Sequence, residues 1–159
     1  MVINKENYKE FWDEETKKLN LIDIGICELL YIPEDCGLLL VSHNKLTSLP
    51  ELPDGLKVLD VSNNKITSLP ELPKGLLRIN ITFNNLTELP ELPSGLKLLL
   101  VGSNGLTSLP ELPEGLKVLW VNRNKLTSLP ELPKGLEELR VDNNQLTSLP
   151  ELPDGLKVL

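Results

Sequence analysis

The sequence predicts a solenoid, a chain wound in short similar turns with a parallel β-sheet along one side and extended returns along the other. Three observations lead to that fold. A 20-residue unit recurs without insertion or loss from about residue 36 to the end of the 159-residue chain. Every copy places leucines where a short strand and its bends would point inward, and every copy closes on Leu-Pro-Glu-Leu-Pro, which cannot be helical. Hydrophobic residues make up 40% of the chain but aromatic ones only 4%, so the core must stack similar aliphatic side chains.

In chain order, residues 1–18 are expected to form an N-terminal capping helix. Between Asn4 and Lys18 the residues Tyr8, Phe11, Trp12 and Glu15 fall at the three- to four-residue spacing of one helical face. Capping the open end of the core is one role for these rings, and a Tyr-Phe-Trp binding patch is the alternative. Residues 19–35 read as a degenerate first repeat, with Leu19 and Leu21 in the strand places, Ile26 and Leu29 following, and Pro33 on the second proline position. Ile24 stands there where later copies carry asparagine. Residues 36–155 hold six 20-residue repeats, and 156–159 begin an incomplete seventh. That uncapped strand edge is expected to continue into more repeats or to pair with a second copy.

Within the repeats the pattern is L-x-x-L-x-V-x-x-N-x-L, as in Gly55 to Lys74. Leu56, Leu59, Val61 and Ile66 are the inward residues, and successive strands pair in parallel about 4.8 Å apart. Each inward row is buried only because neighbouring turns cover it. Asn44, Asn64, Asn84, Asn104, Asn124 and Asn144 fall where the strands end, and an inward amide there would pair with backbone groups of the bend. The paired prolines remove backbone donors and hold the preceding residues extended, with leucines inward and glutamate outward. The prediction is therefore a leucine-rich-repeat solenoid with a parallel β-sheet on the concave face, polyproline-II-like convex returns and a short N-terminal capping helix. The glycines that precede each strand, such as Gly55 and Gly75, are expected to serve the turn there.

Net charge is −7 with a pI near 4.8, so phosphate backbones and anionic membrane faces are disfavoured partners. Met1 to Asn7 has no apolar stretch of a cleavable secretory signal, and no uncharged apolar run approaches the ~18 residues of a membrane span. A cytoplasmic protein is expected on these grounds. Cys27 and Cys36 read as free thiols of a reducing compartment, with a disulfide strap across the N-terminal end as the alternative. His43 is the only histidine and has no cysteine or histidine at ligand spacing, so no zinc site is expected. No nucleophile-base pair and no phosphate-cradling glycine loop is present, which argues against an enzyme and against a cofactor. Glu51, Glu71, Glu91, Glu111, Glu131 and Glu151 form a convex column, read as a solvated row, with calcium binding as the alternative.

The copies differ where strand residues point outward. One file holds Leu38, Val58, Arg78, Leu98, Val118 and Glu138, and the next holds Leu40, Asp60, Asn80, Leu100, Trp120 and Arg140. A third, at the strand exits, holds His43, Asn63, Phe83, Ser103, Arg123 and Asn143. Leu98, Leu100, Val118 and Trp120 fall in adjacent strands with Phe83 nearby, and Arg123 and Arg140 follow. Contiguous exposed apolar residues mark interaction surfaces, and Trp and Arg are enriched at their energetic centres. The candidate partner-binding residues are thus Arg78, Asn80, Phe83, Leu98, Leu100, Val118, Trp120, Arg123 and Arg140, with Trp120 as anchor.

Leu-Pro-Glu-Leu-Pro followed by Gly-Leu-Lys-Val-Leu-x-Val-x-x-Asn-x-Leu-Thr-Ser resembles the LPX-type repeats of bacterial effectors, the family of YopM and the IpaH-like secreted ubiquitin ligases. The resemblance covers about residues 36–159, and the Tyr8-Phe11-Trp12 segment resembles the family's aromatic cap. It implies a scaffold that recognises protein partners, in some members inside a host cell, which would require secretion without a cleavable signal. In the ligase members a separate C-terminal domain supplies a catalytic cysteine. Neither Cys27-Glu28-Leu29 nor Cys36-Gly37-Leu38 matches its Cys-x-Asp motif, so ligase activity does not carry over. The expected function is a protein-binding repeat module. The alternative is a structural or self-associating array, a fragment or an engineered scaffold, without a dedicated partner.

Overall fold

A computed structural model describes residues 1–157. The expected start of a seventh repeat therefore lies partly outside the described residues. Its first part continues the register, with the Lys157 amide donating to the Glu137 carbonyl at 2.8 Å.

Ten short strands follow one another along the described residues. They are β1 (Val2–Ile3), β2 (Trp12–Asp13), β3 (Lys18–Asn20), β4 (Glu28–Leu29), β5 (Leu38–Leu40), β6 (Val58–Asp60), β7 (Arg78–Asn80), β8 (Leu98–Leu100), β9 (Val118–Trp120) and β10 (Glu138–Arg140). Eight of them form one sheet in the order β10-β9-β8-β7-β6-β5-β3-β2, and β1 pairs with β4 in a second, two-stranded sheet. All neighbours from β3 to β10 are parallel. From β5 onward the register equals the repeat, so Leu39, Leu59, Ile79, Leu99, Leu119 and Leu139 stand in line. The middle residue of each of these strands is fully buried while its two neighbours face outward.

The core is the aliphatic column the pattern requires. Leu56, Leu59, Val61 and Ile66 have no exposed surface, and the same places in the neighbouring repeats are equally dry. No helix forms in the returns of the described residues. Leu69 packs against the core, Leu72 is buried, and Glu71 between them is exposed. Burying a leucine side chain contributes roughly 1.5–3 kcal/mol, and here the cover for each comes from the turns on either side.

Asparagine binds these turns together. Asn84 Oδ1 accepts the Ile66 amide of the preceding repeat at 2.9 Å. Its Nδ2 donates to the Val61 carbonyl of that repeat at 3.0 Å and to the Ile81 carbonyl of its own at 3.1 Å. The same set recurs from Asn44 to Asn144. A hydrophobic residue cannot make these bonds, yet Ile24 occupies the equivalent place in the first turn. Asparagine's bonds reach back to the preceding repeat, and the first turn has none behind it.

The N-terminal segment differs from expectation. In place of a helix over 4–18 there is a single 3-10 turn, Tyr8–Phe11, followed by β2, which pairs antiparallel with β3. Local side chains capture the amides a helix would need. Asn4 Oδ1 accepts from Glu6 and Asn7, and Asp13 Oδ1 accepts from Glu15 and Thr16. Lys17, with φ of 51°, then turns the chain into β3. Tyr8, Phe11 and Trp12 still pack against the end of the core, and Tyr8 meets Tyr31 edge to face at 4.8 Å.

The turn before each strand is closed by a leucine amide donating to a proline carbonyl, as from Leu76 to Pro73 at 3.0 Å. The repeat glycines there do not adopt left-handed backbone. That conformation falls at the strand exits, where His43, Asn63, Phe83, Ser103, Arg123 and Asn143 have φ of 54–58°.

Both cysteines are free, Cys27 exposed and Cys36 buried. Burial pushes the Cys36 thiol up to about 11. A neutral thiol is thus favoured in the folded state. Its contribution to stability is whole below pH 9 and shrinks as pH rises through 9 towards 11. Maleimide labelling at neutral pH should modify Cys27 alone, with Cys36 reacting only on unfolding. Rapid double labelling of the folded chain would contradict this placement. Asn84→Ala should cost about 2–4 kcal/mol in chemical denaturation, because it orphans buried backbone groups in two repeats. A loss below about 1 kcal/mol would show that the bend satisfies itself without the amide.

Candidate partner-binding face

The register sets the outward residues of β7, β8 and β9 side by side. Leu98 lies opposite Val118 and Leu100 opposite Trp120, with Arg78 and Asn80 on the other side of the leucines. Leu98, Leu100, Val118 and Trp120 are all half-buried, forming one apolar patch on the concave sheet. Their alternation with fully buried Leu99 and Leu119 follows from the two-residue period of a strand.

Around this patch the candidate residues differ in readiness. Arg140 of β10 lies opposite Trp120, and its guanidinium carbon stands 4.0 Å from the centre of the indole ring. Such a stack contributes about 0.5–1 kcal/mol at an exposed site and holds the ring in place. The indole Nε1 is buried and has no hydrogen-bond partner among the described residues. Asn80 is partly engaged, since its Oδ1 accepts both the amide and the hydroxyl of Thr82. Arg78, Arg123 and Arg140 are exposed and make no ion pair among the described residues.

Phe83 and Arg123 belong to a different row. They sit three residues beyond the ends of β7 and β9, with Ser103 between them in the file, so they line the exit flank of the patch and not its centre. Phe83 is 53% exposed. Left-handed backbone suits asparagine and penalises bulky side chains. At this position Asn63 and Asn143 fit the backbone, whereas Phe83 and Arg123 strain it for an outward-facing side chain. Outward orientation was readable from the repeat, but this strain was not, because no glycine marks the place.

Sequence reasoning also passed over Lys97 and Lys117, exposed residues at the starts of β8 and β9 that flank the patch on its other side. Their signal was the Gly-Leu-Lys step of the repeat. Among the described residues no three His, Cys, Asp or Glu side chains gather as metal ligands would.

The strain has a measurable consequence. Phe83→Asn and Arg123→Asn should each raise stability by about 0.5–1 kcal/mol, because asparagine tolerates the left-handed backbone. Chemical denaturation checks this, and a loss of stability in either variant would mean that the side chain is held by contacts of its own.

Comparison with known proteins fits this architecture. Family models described as leucine-rich repeats match residues 55–76 and, as two copies, 114–154. The leucine-rich effector YopM from Yersinia pestis has 37% identity and a TM-score of 0.91, over 97% of this chain and 45% of that one. A Shigella effector leucine-rich-repeat domain has 38% identity and a TM-score of 0.85, over 91% and 66%. YopM from Yersinia enterocolitica WA-314 has 38% identity and a TM-score of 0.77, over 86% and 35%. The chain thus spans between 35% and 66% of the length of these structures. No curated protein matches. The 20-residue period, the asparagine-bonded turns and these likenesses together make the repeat region a member of the LPX-type leucine-rich-repeat family of YopM and the IpaH-like effectors.

Proposed function

We propose that this chain is an effector-like binding module that grips a partner protein on its concave sheet, with Trp120 as the anchor. The observation that carries the reading is the contiguous apolar patch of Leu98, Leu100, Val118 and Trp120 on the outward sheet face, larger than the aliphatic run of Leu38, Leu40 and Val58 and the one that holds an aromatic ring. A patch of this kind loses little by binding and gains by removing apolar surface from water. Phe83 extends it at the exit flank, where the backbone strain is repaid by contact with the partner. Arg78, Asn80, Arg123 and Arg140 supply its polar rim.

Likeness to secreted bacterial effectors supports a role inside a host cell, with the partner a host protein and virulence the context. No helix among the described residues is long and apolar enough to cross a membrane. The reading is of recognition and not catalysis: the candidate face offers an aromatic anchor and cations, and no nucleophile beside a base.

A lysate pull-down with the wild-type chain beside Trp120→Ala/Leu100→Asp and Phe83→Asn tests it, with thermal melts to confirm folding. A protein held by the wild type and lost from both variants is the expected result. Loss from Phe83→Asn is especially telling, since that variant should fold at least as well. Capture that survives both variants would remove the site. Recovery of only the chain itself, as a dimer by light scattering, would favour a self-associating array.

A further inference from the structure

Charge is divided between the two sides of the solenoid. Each repeat has a concave half, from the residue before the strand to the residue after the ladder asparagine, and a convex half formed by the return. Between Asp60 and Glu137 the concave half carries Lys65, Arg78, Lys97, Lys117, Arg123 and Lys125 and no carboxylate. The convex half of the same stretch carries Glu71, Glu88, Glu91, Glu111, Glu114 and Glu131 against only Lys74 and Lys134. All six concave cations are exposed. Among the described residues only Lys117 is in an ion pair, with Glu137 at 3.3 Å. A chain of net charge −7 therefore has, between Asp60 and Glu137, a concave half whose charged side chains are all basic.

This basic stretch has defined ends. Asp60 in β6 bounds it on one side, and Glu137, Glu138 and Asp142 around β10 bound it on the other. From β6 to β10 there are four strand spacings, roughly 19 Å. The apolar patch occupies the middle, with Lys97 and Lys117 at the strand starts and Arg123 and Lys125 at the exits.

We propose that the occupant of this face is an acidic polypeptide segment bearing apolar side chains, its carboxylates met by the flanking cations and its apolar groups seated on Leu98, Leu100, Val118 and Trp120. This rests on the concave-face reading and adds the partner's chemistry. The divided field favours it twice over, since an acidic segment is attracted to the concave side and repelled by the convex one. A nucleic acid fits less well. Its backbone needs a continuous track of cations, and here aliphatic side chains separate the two basic flanks.

The test is a random dodecapeptide library displayed on phage, selected on the full chain and on Arg78→Glu/Lys97→Glu/Arg123→Glu. The three substituted side chains are exposed, and a melt checks the variant's folding. If charge reversal prevents folding, the glutamine versions replace it. The wild type should enrich acidic peptides that carry aliphatic or aromatic residues. A synthesised winner should bind at least about tenfold more weakly to the variant and weaken as salt is raised. Enrichment of neutral or basic peptides, no enrichment, or equal binding to the variant would overturn the proposal. So would tighter binding of oligothymidylate than of the selected peptide. Trp120→Ala/Leu100→Asp separates the two levels. Basic peptides lost on that variant would sink the acidic chemistry and leave the concave site standing. Acidic peptides indifferent to it but lost on charge reversal would keep the acidic partner and sink the Trp120 anchor.

Discussion

One side chain per repeat, the inward asparagine, makes the rest of the structure possible. A 20-residue turn closed by two prolines has no helix in its return to satisfy its own backbone. The bend at the strand exit would leave an amide and two carbonyls dry, at a cost of several kcal/mol per turn. Asn64, Asn84 and Asn124 are themselves buried, so their bonds form where water is absent. Because each amide serves its own turn and the one before, it sets the distance and register between turns as well as filling a local need. The aliphatic column is nonspecific by comparison: leucine stacked on leucine would accept small slips that the asparagines forbid.

The repeat half of the fold was legible because two signals of different kind agreed. Leu59 and its equivalents recur at the burial period, and Asn64 and its equivalents recur where a polar group must go inward. The N-terminal segment lacked that second signal. Tyr8, Phe11, Trp12 and Glu15 satisfy a helical spacing, yet the decision was made by Asn4 and Asp13, whose short side chains took the backbone amides instead. Either outcome turns the rings toward the core, so apolar spacing alone could not choose. Glycine was a partial guide. Gly55 and its equivalents marked a turn, but the left-handed backbone lay at the strand exit under residues as large as Phe83.

The candidate face shows the same division. Which residues point outward followed from strand alternation, so Leu98, Leu100, Val118 and Trp120 could be grouped from their positions. How they are held could not be read that way. Arg140 over the Trp120 ring and Asn80 bonded to Thr82 depend on side-chain rotamers, which spacing does not encode. The bulk charge concealed more than it revealed. A value of −7 averages over the carboxylates of the returns and the cations that flank the strands between Asp60 and Glu137.

Every asparagine bond in the ladder reaches a fixed number of residues back along the chain. A duplication or deletion of one whole unit therefore recreates each joint with its partners at the same offsets, whereas a change of any other length breaks one. Such an array can gain or lose reach by recombination in steps of one strand, about 4.8 Å each, without a new joint having to be invented. The outward residues travel with their unit, so a recognition surface can be shuffled as cassettes while the joinery between them stays the same.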